Sequence, residues 1–223
     1  MHNTPSAARW PLIVAAALFV ALALSVVLGV ITGIDKAVYA AIQPLGSRTG
    51  DLIASAVTLL GRTDIAVGIA IVTVVVLLIR GRLLPAIAAA AILAVLALDG
   101  VLKNLIGQHR PPAGSGHELH LLPAFLPKVS ETLSFPSSHS ALAAFLAVTI
   151  GHAAPRLRPI VWALTFAVVL SRLYLDKHWA SDVVGGLLLG IVVGELAWLI
   201  TAAFEQSVRT KHASRSTDPG SSS

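Results

Sequence analysis

The sequence predicts an all-α, polytopic membrane protein of six transmembrane helices, with an interfacial helical segment between the first two. Three observations carry that expectation. Of 223 residues, 56% are hydrophobic and only 12% charged, where a soluble domain carries about 25% charged residues. Mean hydropathy is +0.82. The apolar residues gather in long runs rich in Ala, Leu, Val and Ile and lack strand-like alternation, which favours helices over a strand barrel.

The first run, residues 11–31, follows a single basic residue, Arg9. At about 20 residues it can cross a hydrocarbon core of roughly 30 Å. A cleavable signal peptide has a shorter apolar core, about 7–15 residues, so the run reads as a retained helix. Further runs cover residues 65–79, 83–106, 140–151, 159–175 and 183–204. The run at 140–151 is short. It reaches span length only if its helix takes in residues 136–139, which sets polar side chains just below the membrane surface.

Between the first two runs lies a mixed segment, residues 35–64, with turn signals at Gln43-Pro44-Leu45-Gly46. Leu52, Ile53, Ala56, Val57 and Leu60 recur at helical spacing but cover too little chain to span, so this helix is expected to lie in the interface. The segment 111–135 reads as an irregular loop. The chain divides into a tail (1–9), a helical domain (10–206) and a tail expected to be disordered (207–223), which ends Ser-Thr-Asp-Pro-Gly-Ser-Ser-Ser.

Composition also excludes. There are no cysteines, so disulfides, thiolate metal sites and cysteine nucleophiles are ruled out. The net charge of +5 does not indicate nucleic acid, which needs basic residues clustered on a water-facing patch; here they punctuate apolar runs. The partner is the lipid bilayer. With six spans, Arg9, Arg80, Arg82, Arg156, Arg158, Arg209, Lys211 and Arg215 share the face that holds both termini. Of the eight remaining basic residues, Lys103, Arg110 and Arg172 belong to the motifs described next. The positive-inside rule therefore places the termini in the cytoplasm.

Three polar clusters interrupt the apolar pattern, each at a span end: residues 103–111, 136–139 and 171–182. Helix counting brings all three to the face opposite the termini. Lys103, Arg110 and Arg172 suit a dense anion such as phosphate, which arginine grips with paired donors. Pro136 fits the first turn of a helix, whose open N–H groups, with the Ser137 hydroxyl, add donors to an anion. Asp182 follows His178 by four residues, on the same helical face if the last helix begins there. A carboxylate bonded to one ring nitrogen fixes the tautomer and leaves the other nitrogen able to attack. His139 supplies a second imidazole for proton transfer.

The three clusters resemble the signature of the type 2 phosphatidic acid phosphatase (PAP2) superfamily: K-x6-RP, then PSGH, then SR-x5-H-x3-D. Lys103, Arg110 and Pro111 match the first. Pro136, Ser137 and His139 match the second, and Ser171, Arg172, His178 and Asp182 the third. The resemblance implies a membrane lipid phosphatase that needs no metal or other cofactor. It implies His178 as nucleophile forming a phosphohistidine, Asp182 as its orienting partner, and His139 as general acid and then base. Lys103, Arg110, Arg172, Ser137 and Ser138 are implied to bind phosphate. Ser138 departs from the pattern, standing where the family has glycine; it keeps the N–H donor wherever its φ is negative.

The substrates expected are polyprenyl pyrophosphate, which an extracytoplasmic site in a small chain favours, phosphatidic acid, phosphatidylglycerol phosphate and lipid A phosphate. A lipid phosphotransferase using the same site is the alternative. A transporter is disfavoured, because its site would lie near the bilayer midplane. Asp99, four residues before Lys103, either pairs with it or is solvated. Glu195, inside the last run, is either functional or a neutral group bonding a neighbouring helix. His109 and His117 lie outside the motifs. Trp10, Trp179 and Trp198 read as interfacial anchors.

Overall fold

The computed structural model describes residues 10–112, 118–126, 130 and 132–216. Nine α-helices order the described chain. They are α1 (Trp10–Val27), α2 (Thr32–Ile42), α3 (Arg48–Thr58), α4 (Thr63–Ile79), α5 (Leu83–Ala90), α6 (Ile92–Ile106), α7 (Ser138–Ala153), α8 (Arg158–Tyr174) and α9 (Ala180–Ser216). Pairing of extended backbone is confined, among these residues, to one bridge between His109 and Leu133.

Four stretches are long and apolar enough to cross a membrane: Trp10–Val27, Leu83–Ile106, Pro155–Tyr174 and Ala180–Ser207. The segments Arg48–Gly61 and Thr63–Ile79, bent by 49° to each other, add a fifth if they act as one. The protein is thus multi-pass. α7, expected as a further span, has sixteen residues, short of that length. Eleven of the sixteen are buried, so it is the central helix of the bundle and meets protein rather than lipid.

Several ends differ from the sequence expectation for local reasons. α1 stops at Val27 because Gly29 turns the chain with φ +70°, a conformation open to glycine. The interfacial segment forms two helices rather than one. Ser47 caps the second, its Oγ accepting from the Gly50 N–H at 3.1 Å. The third run is interrupted at Ala91, between α5 and α6. α7 begins at Ser138 with Ser137 as its N-cap, so Pro136 precedes the helix instead of opening its first turn. α9 continues to Ser216, through residues expected to lie in a tail; 217–223 lie outside the described residues.

Packing of α7 on α9 sets the register of the site. At Gly190 a Cβ would stand 2.2 Å from the Ala141 carbonyl oxygen, and at Gly186 it would stand 2.4 Å from that of Ser137. With Gly194 against Val148, these glycines at four-residue intervals form the small-residue stripe that lets two membrane helices touch backbone to backbone. Leu142, Phe145, Val95, Ala66 and Leu189 fill the core beside it.

Candidate active site

The first cluster is aimed by a change of direction after α6. Gly107 closes that helix in the left-handed region, φ +69°, its N–H donating to the Lys103 carbonyl. The chain then runs antiparallel to residues 132–134. Ser134 N donates to Gln108 O at 2.8 Å and Arg110 N to Thr132 O at 3.2 Å. The buried Ser134 hydroxyl lies within 3.2 Å of the Gln108 and His109 carbonyls. This short ladder points Arg110 inward, where Nη1 donates to Lys177 O at 2.8 Å and Nη2 to Ser130 O at 3.1 Å.

The third cluster reverses the chain from α8 into α9 through Asp176, whose φ is +57°, a conformation Asp tolerates better than most residues. Asp182 then serves twice. Its Oδ2 accepts from the Trp179 N–H at 2.8 Å, the carboxylate half of a capping box at the start of α9. The same oxygen meets His178 Nδ1 at 3.2 Å. The other ring nitrogen, Nε2, lies 3.3 Å from Arg110 Nη1. A guanidinium can only donate, so Nε2 carries the lone pair and Nδ1 the proton. The geometry thus selects one tautomer with its nucleophilic nitrogen toward the cations.

The second cluster is joined to the third through backbone, Ser137 N donating to Asp182 O at 2.9 Å. Ser137 is fully buried and its hydroxyl accepts from Ser140 at 3.2 Å. Ser138 donates from Oγ to Asp99 Oδ2 at 2.7 Å. The other oxygen of Asp99 meets Lys103 Nζ at 2.6 Å. Lys103 also donates to the Pro136 carbonyl. Asp99 therefore pairs with Lys103, and both are buried.

These elements enclose a cavity of ≈ 510 Å³ whose wall includes Arg110, Ser138, His139, Arg172 and His178. Lys103, Ser137 and Asp182 stand behind that wall, acting through the groups they hold. Arg172 donates from Nη1 to Thr58 Oγ1 at 2.8 Å, while its buried Nε has no protein partner, a donor left for a bound anion. Burial, and then the charges of Arg172, Arg110, Lys103 and His139, hold His178 well below the ordinary imidazole range, so its ring is neutral at neutral pH. Glu118, also on the wall, is raised by burial, but the Lys177 ammonium at 2.9 Å and the Arg172 and His120 charges more than offset this and leave it below the usual range.

Sequence motifs did not disclose the brace behind His178. α2 and α3 run along residues 171–182. Asp35, buried, accepts from Ser181 N at 2.8 Å and Ser181 Oγ at 2.6 Å. Tyr39 packs on Trp179 with ring centroids 5.5 Å apart. Gln43 Nε2 donates to Leu173 O at 3.3 Å, and Tyr174 Oη donates to Asp51 Oδ1 at 2.8 Å. Trp179, expected as an interfacial anchor, donates to the His109 carbonyl at 2.9 Å. Trp198 stacks on His152, with centroids 4.6 Å apart, and Glu195 meets the same His152 at 3.1 Å. His109 lines the cavity; His117 lies outside the described residues. Trp10 is exposed at the start of α1.

Comparison with known proteins agrees with this architecture. A search of curated proteins returns no match. Among solved structures, the chain resembles a transmembrane PAP2-type phosphatidylglycerolphosphate phosphatase from Bacillus subtilis, with TM-score 0.66 and 20% identity over 89% of this chain and 98% of that one. It also resembles Aquifex aeolicus LpxE, with TM-score 0.55 and 22% identity over 72% of this chain and 92% of that one. At such identities the likeness shows the fold. The sequence profile of the PAP2 superfamily matches residues 84–206, a stretch that holds all three clusters, and the chain belongs to that superfamily.

Proposed function

We propose that the protein is a metal-independent lipid phosphatase of the plasma (inner) membrane. It hydrolyses a lipid phosphate or pyrophosphate through a phosphohistidine, with six passes, cytoplasmic termini and its cavity open to the periplasm or exterior. The single observation that supports this most is the placing of His178, with Nδ1 against Asp182 and Nε2 beside Arg110 at 3.3 Å. Membership in the superfamily and the likeness to two membrane phosphatases support the same reading.

The phosphate is held between Arg110 and Arg172, with Lys103 contributing its charge from behind Ser138. Nε2 of His178 attacks phosphorus and forms the P–N bond as the P–O bond to the lipid breaks. The electron pair of that bond leaves on the lipid oxygen, which takes a proton from His139. Asp182 stabilises the charge that develops on the ring. His139, now neutral, accepts a proton from water as its oxygen attacks phosphorus. The P–N bond breaks, its electron pair returns to Nε2, and inorganic phosphate departs. Cations and oriented donors neutralise the equatorial oxygens throughout, the role a metal fills in other phosphoryl-transfer sites.

Polyprenyl pyrophosphate is the favoured substrate, ahead of phosphatidic acid, phosphatidylglycerol phosphate and lipid A phosphate. The test is phosphate release by purified protein in detergent containing EDTA, from a panel of these four lipids. Release from at least one, most rapidly from the polyprenyl pyrophosphate, is expected. No release from any, with phosphoryl appearing on an acceptor lipid instead, would identify a transferase.

A further inference from the structure

The segment 118–126 combines a fixed backbone with an unusual surface. Leu119, Leu121, Leu122, Phe125 and Leu126 are all exposed, Phe125 by 82%. A water-facing loop rarely presents so many large apolar side chains together, and a patch of this kind marks a binding surface. Its backbone, in contrast, is anchored by polar groups. Arg62 donates from Nη1 to Leu122 O and from Nη2 to Pro123 O, both at 2.9 Å. Asp64 accepts from Phe125 N at 3.1 Å, and Ser55 accepts from Leu119 N at 2.9 Å. Arg62 and Asp64 are themselves locked in a two-pronged pair at 2.7 and 2.9 Å.

These tethers set the depth of the segment. Arg62 is the N-cap of α4 and Asp64 lies in its first turn, so the loop backbone sits level with the start of that apolar helix. The lipid-facing side of α4, with Ile71 and Val72 exposed, begins two turns further on. α3, which carries Ser55, exposes Leu52 and Ile53. The apolar surface of the loop thus continues that of membrane helices. Backbone near hydrocarbon needs its polar groups paired, which Arg62, Asp64 and Ser55 do here. On the inner side, Ala124 and Leu126 join Arg62 and Asp64 in the cavity wall.

We infer that residues 118–126 lie in the outer lipid interface and form the apolar lip across which the hydrocarbon chain of a lipid substrate passes from the bilayer to the phosphate-binding cavity. The occupant of the exposed face is bilayer lipid. This deepens the phosphatase reading and rests on it for the passage of substrate, though not for the position of the loop.

Two measurements test it on the full-length protein in vesicles. The chain has no cysteine, so Phe125→Cys and, separately, Leu122→Cys each accept one nitroxide label. Relaxation by oxygen with protection from a water-soluble nickel chelate is the expected result. Free access of the chelate would overturn the proposal, and so would dipolar broadening that shows two copies facing each other. The second measurement compares a long-chain lipid phosphate in vesicles with a short-chain, water-soluble one. Leu121→Ser/Phe125→Ser is expected to raise KM for the vesicle substrate about tenfold and to leave turnover of the soluble one unchanged. An unchanged KM for the vesicle substrate would overturn the role in substrate passage. If wild-type protein released phosphate from neither substrate, the phosphatase reading would fail while the label still located the loop.

Discussion

Asp35 and Ser181, 146 positions apart in sequence, are joined by two short hydrogen bonds at 2.8 and 2.6 Å in a buried setting. Ser181 precedes Asp182, which holds His178, so a carboxylate on α2 steadies His178 through two intervening residues. Asp35 lies outside the segment that matches the superfamily profile. Asp35→Ala leaves the Ser181 N–H buried without its acceptor, at a cost of about 1–3 kcal/mol. The resulting displacement of His178 is expected to lower kcat about 10–100-fold. KM for a small phosphate ester should hold, because Arg110 and Arg172 keep their own supports. Asp35→Asn retains one oxygen acceptor and should lose less. Equal stability losses in the two variants with unchanged kcat would contradict the positioning role.

The buried pair of Asp99 and Lys103 predicts an asymmetry. Removing one partner strands the other charge away from water, so Asp99→Ala should destabilise the fold by about 3–5 kcal/mol, read from thermal unfolding in detergent. Ser138→Gly, which installs the residue of the family pattern, removes only the 2.7 Å bond to Asp99 and should cost about 1.5–3 kcal/mol. A larger loss for Ser138→Gly than for Asp99→Ala would show that the ion pair does not hold this corner together.

Helix contact predicts a contrast between glycines. Gly190→Ala sets a methyl 2.2 Å from the Ala141 carbonyl oxygen and forces α7 from α9, at about 1–3 kcal/mol, with strain passed to the Ser137–Asp182 link. Gly68→Ala on α4 meets nothing within 4 Å and should be neutral or stabilising by up to about 1 kcal/mol. Unfolding midpoints of the two variants check this.

The depressed affinity of His178 for protons has a definite sign. The folded protein takes up this proton at lower pH than the unfolded chain, whose imidazole titrates near 6.5. The stability linked to it is therefore present above about pH 6.5 and is lost as pH falls through the folded value. Nitrogen-15 histidine spectra of wild-type protein and of His178→Ala should show the His178 ring neutral at about pH 6. A charged His178 at that pH would contradict the burial and cation field described for the site.

How much of this was legible from sequence follows physical lines. Charges such as Lys103, Arg110 and Arg172 stand out in apolar runs, and helix counting alone brings their clusters to one face. The i, i+4 spacing of His178 and Asp182 was enough to expect their contact. What sequence could not show was which groups face the cavity. Lys103 and Ser137 look like direct ligands, yet Asp99, the Pro136 carbonyl and Ser140 take their hydrogen bonds behind the wall. The helix start at Ser138 depends on the backbone of Ser137 bonding to Asp182, a contact no local propensity encodes. Asp35 and Thr58 were missed because their partners, Ser181 and Arg172, lie more than a hundred positions away and no motif links them. The clue available was a lone acidic residue, Asp35, soon after the first apolar run.

Dependence on metal gives a simple prediction. Arg110, Arg172 and the Lys103 charge surround the proposed phosphate position, and among the described residues no three His, Asp or Glu side chains are gathered so as to hold an ion. Phosphate release should persist undiminished in EDTA. Loss of activity in the chelator, restored by Mg²⁺, would show that this chain uses a metal.

The most direct test of the account is rapid-quench trapping of acid-labile phosphohistidine with an activated aryl phosphate in wild-type, His178→Ala and His139→Ala protein. An activated leaving group departs without a proton, and general acid help is otherwise worth about 10²–10⁴-fold. A phosphoenzyme is expected in wild type, none in His178→Ala, and one that still forms but hydrolyses slowly in His139→Ala. A phosphoenzyme that persists in His178→Ala and vanishes in His139→Ala would contradict this and invert the two histidines.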